Sequence, residues 1–158
     1  MGVEIDIITA SAEHMPIVGQ LFREYRASVD AEICFATYEE ELAGLPAGYE
    51  RILLAERSTA VAGCVALRRI NPEDCEMKRL FVRPEHQGHG LGRILIAAAV
   101  DEATRLGFQR LLLDTLPTMA RAIELYRAMG FTPIARYNEN PHPSTLFFEK
   151  RLSPTLFG

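Results

Sequence analysis

The strongest chemical signal in this chain is a glycine-rich turn at residues 87–92, between an apolar strand-like segment and a helix-like segment. Gly88, Gly90 and Gly92 lack Cβ atoms, so the backbone can turn tightly there and approach a ligand closely. The helix predicted over residues 91–106 presents unpaired N–H groups and the positive end of its dipole at this turn. Such a turn binds phosphate or pyrophosphate, so the sequence predicts a site for a phosphorylated cofactor.

Two common phosphate-binding motifs fit this turn poorly. A P-loop requires Lys followed by Ser or Thr after its last glycine, whereas Arg93 and Ile94 follow Gly92 here. A dinucleotide fingerprint requires the spacing G-x-G-x-x-G, and these glycines alternate instead. Asp114 ends a later strand-like segment, as the acidic residue of that fingerprint would, so a nucleotide-binding regulatory domain stays an alternative.

The hydrophobic pattern predicts the elements that must position this turn. Alternating apolar and polar residues indicate strands, and apolar residues at helical spacing indicate helices. The predicted strands cover residues 3–8, 51–56, 61–69, 75–82, a segment around 111–113, 132–136 and 145–152. The predicted helices cover residues 12–28, 38–45, 91–106 (buried on most sides) and a segment from Pro117 and Thr118 to Gly130. Gly107 and Gly130 stand where helices end.

Four segments in this order resemble the GNAT superfamily of acyl-CoA-dependent N-acyltransferases. They are the strand 77–82, the turn 83–92 with its Q-x-x-G-x-G pattern, the helix 122–131 and the closing strand 146–150. The resemblance implies a mixed α/β fold, with a central twisted mixed sheet of about six to seven strands flanked by about four helices. In that fold the sheet splays open in the middle to admit acyl-CoA. We expect one N-acetyltransferase domain over residues 1–158.

The resemblance also implies which residues bind the cosubstrate acetyl-CoA. The backbone of the strand end pairs with the pantetheine arm, and the turn holds the pyrophosphate. The implied cofactor-binding residues are Leu80, Phe81, Val82, Gln87, Gly88, His89, Gly90, Leu91, Gly92 and Arg93. The first three are also ordinary core residues, which is compatible because the role uses only their backbone. His86 and His89 have no carboxylate or thiol at matching spacing, so no metal is expected.

Amine acylation by a thioester requires a neutral amine, a donor to the carbonyl oxygen and a proton for the leaving thiolate. Tyr126 matches the family tyrosine near the thioester sulfur and is the predicted acid; the alternative is a buried tyrosine on a helical core stripe. Glu76, on the strand that leads to the cofactor, is the predicted base. Its alternatives are an ion pair with Lys78 or Arg79 on a solvated strand face, and proton removal by an ordered water chain.

The acceptor pocket is expected from the N-terminal helices and the C-terminal loop. The candidate residues are Phe22, Tyr25, Arg26, Phe35, Tyr137, Asn138 and His142. Each has an ordinary alternative, which is a core position for the aromatic residues and a solvated position for the others. Met119 stands where family members often have Asn, so its side chain cannot supply the hydrogen bonds of that amide.

Composition excludes several other classes. With 158 residues, 48% of them hydrophobic and 24% charged, the chain has the composition of a soluble globular domain. Its net charge of −4 disfavours nucleic acid and favours a cationic partner such as an amine. No apolar run suffices to cross a bilayer, and the N-terminus lacks a secretory signal. Cys34, Cys64 and Cys75 cannot all pair within one chain and fit no zinc pattern, so we expect a cytoplasmic protein.

The leading hypothesis is an N-acetyltransferase that moves an acetyl group from acetyl-CoA to a primary amine by direct attack in a ternary complex. A non-catalytic acyl-CoA sensor is the alternative. The acceptor is a small-molecule or peptide amine whose identity the sequence leaves open, and neither nucleic acid nor membrane is expected as a partner. Homodimers are frequent in the family, and the sequence carries no interface signature.

Overall fold

The computed structural model describes residues 4–29 and 35–153, in which a seven-stranded sheet carries helices on both faces. The strands are β1 (Ile5–Thr9), β2 (Arg51–Arg57), β3 (Ala60–Arg69), β4 (Asp74–Val82), β5 (Arg110–Thr115), β6 (Thr132–Ile134) and β7 (Leu146–Arg151). The helices are α1 (Met15–Ser28), α2 (Phe35–Ala43), α3 (Leu91–Arg105) and α4 (Ala120–Ala128). This mixed α/β architecture confirms the predicted fold class.

The order of strands across the sheet is β1-β2-β3-β4-β5-β7-β6. Neighbouring strands are antiparallel except for β4 and β5, which are parallel and are connected through α3. A parallel pair requires such a crossover, whereas the hairpin of β2 and β3 needs only a short turn. The carboxyl ends of β4 and β5 therefore lie at the same edge of the sheet, and the glycine-rich turn begins there.

Alternating residues of the central strands enter two hydrophobic cores on opposite faces of the sheet. Leu53 of β2 packs in the core that contains Leu95 of α3. Its neighbour Leu54 packs in the other core with Phe22 of α1. The sheet is thus covered on both faces, with α3 fixed on one side and α1 on the other.

Helices α1 and α4 each begin about three residues later than the sequence predicts, because a turn precedes each of them. Residues 12–14 form a 3-10 turn, and α1 begins only at Met15, with Pro16 in its first turn, where a missing N–H loses no intrahelical bond. Helix α4 begins at Ala120 rather than at Pro117. The N–H of Met119 donates at 3.0 Å to the carbonyl three residues earlier, which closes a turn around Pro117.

Helix α3 is buried along one face, with Ala97 exposed, whereas the sequence pattern predicts burial on most sides. Gly107 and Gly130 follow the ends of α3 and α4 with φ of 91° and 93°, as predicted for helix-ending glycines. Among the described residues, no helix combines the length and the apolar character needed to span a membrane. Cys34 lies outside the described residues.

Candidate active site

The glycine-rich turn leaves the end of β4 and leads into α3. A 3-10 turn, Pro84–His86, follows the strand, and Gly90 is the N-cap residue of α3. Gly88 and Gly90 have φ of 85° and 78°, in the left-handed region that residues with a Cβ rarely adopt. A Cβ built on either glycine meets nothing within 4 Å. Backbone conformation rather than crowding therefore requires glycine, and the space beside the turn is open.

The backbone N–H groups of residues 88–93 are not used within the described part of the chain. The N–H of Ile94 is the first to bond back, to the carbonyl of Gly90 at 3.1 Å. Together with the dipole of the 15-residue helix α3, these donors suit the oxygens of a phosphate group. The Gln87 side chain holds the turn against β4, because its Nε2 donates to the Val82 carbonyl at 3.1 Å. The residues present thus fit the predicted pyrophosphate.

Strands β4 and β5 separate beside this turn. They pair over three positions, the last of which joins Glu76 to Leu112. From Met77 onward, the edge of β4 that faces β5 has no strand partner among the described residues, while β3 pairs with its other edge as far as Val82. The opening is a narrow cleft with a cavity volume of about 50 Å³. It is lined by Tyr25, Met77, Lys78, Arg79, Leu80, Asp114, Thr115, Met119 and Tyr126.

The three strand residues predicted to contact the cofactor lie at the end of β4. Leu80 lines the cleft. The side chain of Phe81 is buried in the core that contains α1, and that of Val82 packs against the core of α3. The side chains of Phe81 and Val82 are therefore core residues, as the sequence alternative stated. Their backbone groups can still pair with an extended ligand.

Tyr126 of α4 lies in the cleft and in the core at the same time. Its ring packs on Phe131 and Phe148, at centroid distances of 5.8 and 6.4 Å, and the residue is 7% exposed. Burial raises the pKa of this phenol above its ordinary value of 10.0, with smaller contributions from Tyr25 and Asp114. Tyr126 is therefore protonated at neutral pH and can act as a proton donor in the cleft.

Glu76 is fully buried and does not stand on a solvated strand face, because β4 is a central strand covered on both sides. Its Oε2 accepts hydrogen bonds from the Tyr137 hydroxyl at 2.5 Å and from Asn138 Nδ2 at 3.1 Å. Its Oε1 lies 3.1 Å from Arg68 Nη2 and 3.6 Å from Lys78 Nζ, as ion pairs without hydrogen-bond geometry. The predicted pairing with Lys78 exists, but Glu76 itself does not line the cleft.

Asp114, near the end of β5, is the carboxylate that reaches the cleft. Its Oδ2 accepts hydrogen bonds from Asn138 Nδ2 at 2.7 Å and from Asn140 Nδ2 at 3.3 Å, and its Oδ1 lies 3.9 Å from Lys78 Nζ. Asn138 thus joins Asp114 to Glu76, and we call Glu76, Asp114, Tyr137 and Asn138 the polar cluster. Sequence reasoning did not place Asp114 in the cleft, because only its position at a strand end was visible.

Arg79 has a strained backbone in the wall of the cleft. Arg79 and Leu80 together face a single β3 residue, which makes a bulge in which Arg79 has φ of 59°. For a bulky side chain this conformation costs on the order of 1–3 kcal/mol. Arg79 Nη2 donates to both carboxylate oxygens of Glu41 of α2, at 3.1 and 3.0 Å, and the guanidinium lies 5.0 Å from the ring centre of Tyr38. These contacts stabilise the bulge.

Residues 15–131 match the model of the acetyltransferase (GNAT) family. The chain belongs to the GNAT family. It is 35% identical over 140 residues to an uncharacterized N-acetyltransferase of Schizosaccharomyces pombe, which covers 84% of this chain and 85% of the yeast protein. It is 42% identical over 107 residues to the IAA acetyltransferase of Azospirillum brasilense, which covers 65% of this chain and 68% of that protein.

The GNAT fold is also seen in a solved Salmonella typhimurium structure with its cofactor acetyl-CoA. The match has a TM-score of 0.74 at 22% identity and covers 96% of each chain. Family membership confirms the predicted N-acetyltransferase activity and acetyl-CoA as its cosubstrate. GNAT enzymes act on amines, so the acceptor class is an amine, and the roles of individual residues stay predictions.

The GNAT cleft brings together some of the residues predicted for the acceptor pocket. Tyr25 lines it, and Tyr137 and Asn138 belong to the polar cluster behind it. Phe22 is fully buried in the core, which is its ordinary alternative. The loop that carries Tyr137 and Asn138 thus contacts Glu76 and Asp114 and does not line the cleft.

The remaining predicted residues contribute less to this GNAT site. Arg26 and His142 do not line the cleft, and the side chain of Phe35 lies outside the described part of the chain. Met119 does line it and is the N-cap residue of α4, so its thioether stands where an amide would supply hydrogen bonds. Within the described residues, no group of three His, Cys, Asp or Glu side chains is placed to hold a metal ion.

Proposed function

We propose that this enzyme transfers an acetyl group from acetyl-CoA directly to a primary amine, with Asp114 as proton acceptor and Tyr126 as proton donor. The observation that carries the proposal is their shared cleft. A carboxylate and a neutral phenol line one opening between β4 and β5, which starts beside the unpaired N–H groups of residues 88–93. Direct transfer is favoured because burial raises the pKa of the Cys64 and Cys75 thiols to about 12, which makes them poor nucleophiles.

Two segments are expected to hold acetyl-CoA, which supplies the activated acyl group when bound. The N–H groups of residues 88–93 suit the pyrophosphate, and the exposed side chain of Arg93 adds positive charge beside them. The backbone of residues 80–82, past the last β5 partner of β4, suits the extended pantetheine arm as an added strand would. Holding donor and acceptor together supplies a large part of the acceleration.

Asp114 is the proposed proton acceptor. An alkylamine has a pKa of about 10, so it arrives charged and must lose protons before and during attack. Asn138 and Asn140 donate hydrogen bonds to Oδ2 of Asp114 and hold the carboxylate in place. Its Oδ1 lies 3.9 Å from Lys78 Nζ and accepts no side-chain hydrogen bond from the described residues, so it can accept a proton. Glu76, the base predicted from the sequence, lies behind the cleft lining and would act only through Asn138 or water.

Tyr126 is the proposed proton donor to the leaving sulfur. As the new C–N bond forms, the C–S bond breaks, one proton passes from nitrogen to Asp114, and the phenol proton passes to sulfur. Solvent then restores the proton of Tyr126 and takes that of Asp114. Because a free thiol has a pKa of about 8.5, a donor at this position lowers the barrier to thiolate departure.

Calorimetry with acetyl-CoA and a thiol-release assay over a library of amines test this function. We expect acetyl-CoA to bind and thiol release to depend on added amine. Binding without amine-dependent release would indicate the acyl-CoA sensor instead. Absence of acetyl-CoA binding, with ATP or NAD binding in its place, would overturn the proposal and favour a nucleotide-binding domain.

A further inference from the structure

We propose that the acceptor amine also carries a carboxylate, which Arg79 binds with the help of Lys78; this inference rests on the proposed acetyl transfer. Both cations line the cleft from β4, and Asp114 lines it from β5. An acceptor with an amine at one end and a carboxylate at the other, as in an amino acid, matches this division of charge.

Arg79 has hydrogen-bonding capacity that the described chain does not use. Its Nη2 donates to both oxygens of Glu41. Its Nε is buried and has no hydrogen-bond partner in the described residues, and none of them accepts a bond from Nη1. A guanidinium offers five N–H donors in a planar fork that matches the two oxygens of a carboxylate. Nε is enclosed by the protein, whereas Nη1 is unbonded within the described residues and not enclosed, so Nη1 is the donor through which a ligand carboxylate gains a hydrogen bond.

The surroundings of Arg79 hold the guanidinium in place for such a ligand. It lies 5.9 Å from the ring centres of both Phe22 and Tyr25 and 5.0 Å from that of Tyr38, and its side chain is 14% exposed. Few water molecules can reach it, and hydrogen bonds are stronger in such surroundings than in bulk water. Strained residues of this kind cluster at binding and catalytic sites, and Arg79 is strained at the wall of the cleft.

Lys78 is the second cation and is held loosely. Its Nζ lies 3.6 Å from Glu76 Oε1 and 3.9 Å from Asp114 Oδ1. Direct charged hydrogen bonds measure about 2.7–2.9 Å, so an incoming anion can approach Lys78 without breaking a close ion pair. Glu41 and Glu76, which are not part of the cleft lining, balance much of the charge of Arg79 and Lys78, so the attraction for a carboxylate comes from the donor groups that they leave unbonded.

The first test compares matched acceptors with the unmodified enzyme. The common L-amino acids are each assayed by thiol release beside their α-carboxamide and their decarboxylated amine. We expect the best acid to exceed its amide by about 10- to 100-fold in kcat/KM, mainly through KM. The comparison works against the inference, because the amine of the amide is less basic and a larger fraction of it is neutral. Without recognition of the carboxylate, the amide would therefore react faster.

The opposite outcomes separate this inference from the function beneath it. Equal or faster transfer to amides or decarboxylated amines, or transfer to them alone, overturns the carboxylate inference and leaves the acetyltransferase intact. Failure to bind acetyl-CoA, or failure to acetylate any amine, overturns the proposed function itself.

The second test removes Arg79 without leaving Glu41 unpaired. Glu41→Gln keeps the guanidinium, whereas the double variant with Arg79→Met replaces it by an unbranched apolar chain that fits the same aromatic rings. We expect the preference for acids to persist in Glu41→Gln and to fall to less than about threefold in the double variant, where the preference is the ratio of kcat/KM for acid and amide measured on the same variant. A preference that survives in the double variant would overturn the inference, because Arg79 would then serve only to link β4 to α2.

Two controls accompany this test. Arg151→Gln removes an arginine that is 77% exposed on β7 and is not among the residues that line the cleft, so it should leave the preference unchanged. Circular dichroism and thermal melting show whether each variant is folded. If the double variant does not fold, Lys78→Met takes its place, with a fall in the preference expected and an unchanged preference counting against the inference.

Discussion

The glycine-rich turn and the polar cluster are built in opposite ways. The turn consists of consecutive residues, is mostly exposed, and offers main-chain N–H groups. The polar cluster consists of side chains around the fully buried Glu76. Its hydrogen-bonded pairs are separated by 24, 61 or 62 positions along the chain. A cosubstrate shared by a whole family needs only a backbone shape, whereas proton transfer needs side chains that the topology brings together.

This contrast separates the expected effects of substitutions. A change in the turn alters donor groups that are proposed to hold the cosubstrate, so it should appear in the dissociation constant of acetyl-CoA. In the proposed mechanism, a change in the polar cluster or at Tyr126 alters proton transfer, so it should appear in kcat. Substitutions that mix the two effects would show that the regions are coupled.

The largest effect is expected at Asp114. Asp114→Asn keeps the size of the side chain and removes the proton acceptor, so kcat should fall by about 100- to 1,000-fold while acetyl-CoA binding is retained. Glu76→Gln is the matched control, because it changes the other carboxylate of the same cluster. Steady-state thiol release should show a loss of about tenfold or less there, with a lower melting temperature from the weakened buried contacts. A larger loss of kcat for Glu76→Gln would restore Glu76 as the base.

The second effect concerns Tyr126. Tyr126→Phe should lower kcat by about 100-fold and leave the melting temperature close to that of the unmodified enzyme, because the ring still packs on Phe131 and Phe148. Because the folded-state pKa of Tyr126 is raised above 10.0, the neutral phenol persists through pH 10 and the wild-type rate should not decline from its ionisation below that pH. A pH–rate profile of kcat checks this. A fall in the wild-type rate below pH 10 that is absent in Tyr126→Phe would contradict the prediction.

Much of the fold was predictable because strand and helix periods are local. Alternation placed the strands, and the glycines at 107 and 130 placed two helix ends. The starts of α1 and α4 were not predictable to the residue, because Pro16 and Pro117 fit equally well in a turn or in a first helical turn. Propensity does not decide between those outcomes; the hydrogen bonds of the turn do.

Less of the site was predictable. The turn was visible in the sequence because its proposed function depends on three glycines within five residues. The proposed role of Asp114 depends on the register that places Glu76 beside Leu112 and on a loop that brings Asn138 to both carboxylates. No sequence period encodes either. The bulge at Arg79 has no local signal, since arginine does not favour positive φ.

The turn provides the third prediction and its own control. Gly90→Ala and Gly107→Ala each place a Cβ in open space on a backbone with positive φ, 78° and 91°. Both should lose about 1–2 kcal/mol of unfolding free energy in urea titrations. Only Gly90→Ala should weaken acetyl-CoA binding, by about tenfold in calorimetry, because it moves N–H groups that bind phosphate. Equal affinities for the two variants would remove the turn from the binding site.

The smallest effect is expected for the cysteines. Cys64 and Cys75 are fully buried, and burial raises the pKa of each thiol to about 12, so neither should carry the acetyl group. A variant with Cys34, Cys64 and Cys75 all changed to Ala should retain kcat within about twofold, because direct transfer needs no enzyme thiol. Mass spectrometry of the unmodified enzyme, quenched during turnover, should show no acetylated cysteine. An acetylated thiol that disappears when the amine is added would replace direct transfer by a two-step route, and neither Asp114 nor Tyr126 would then need to act in the same step.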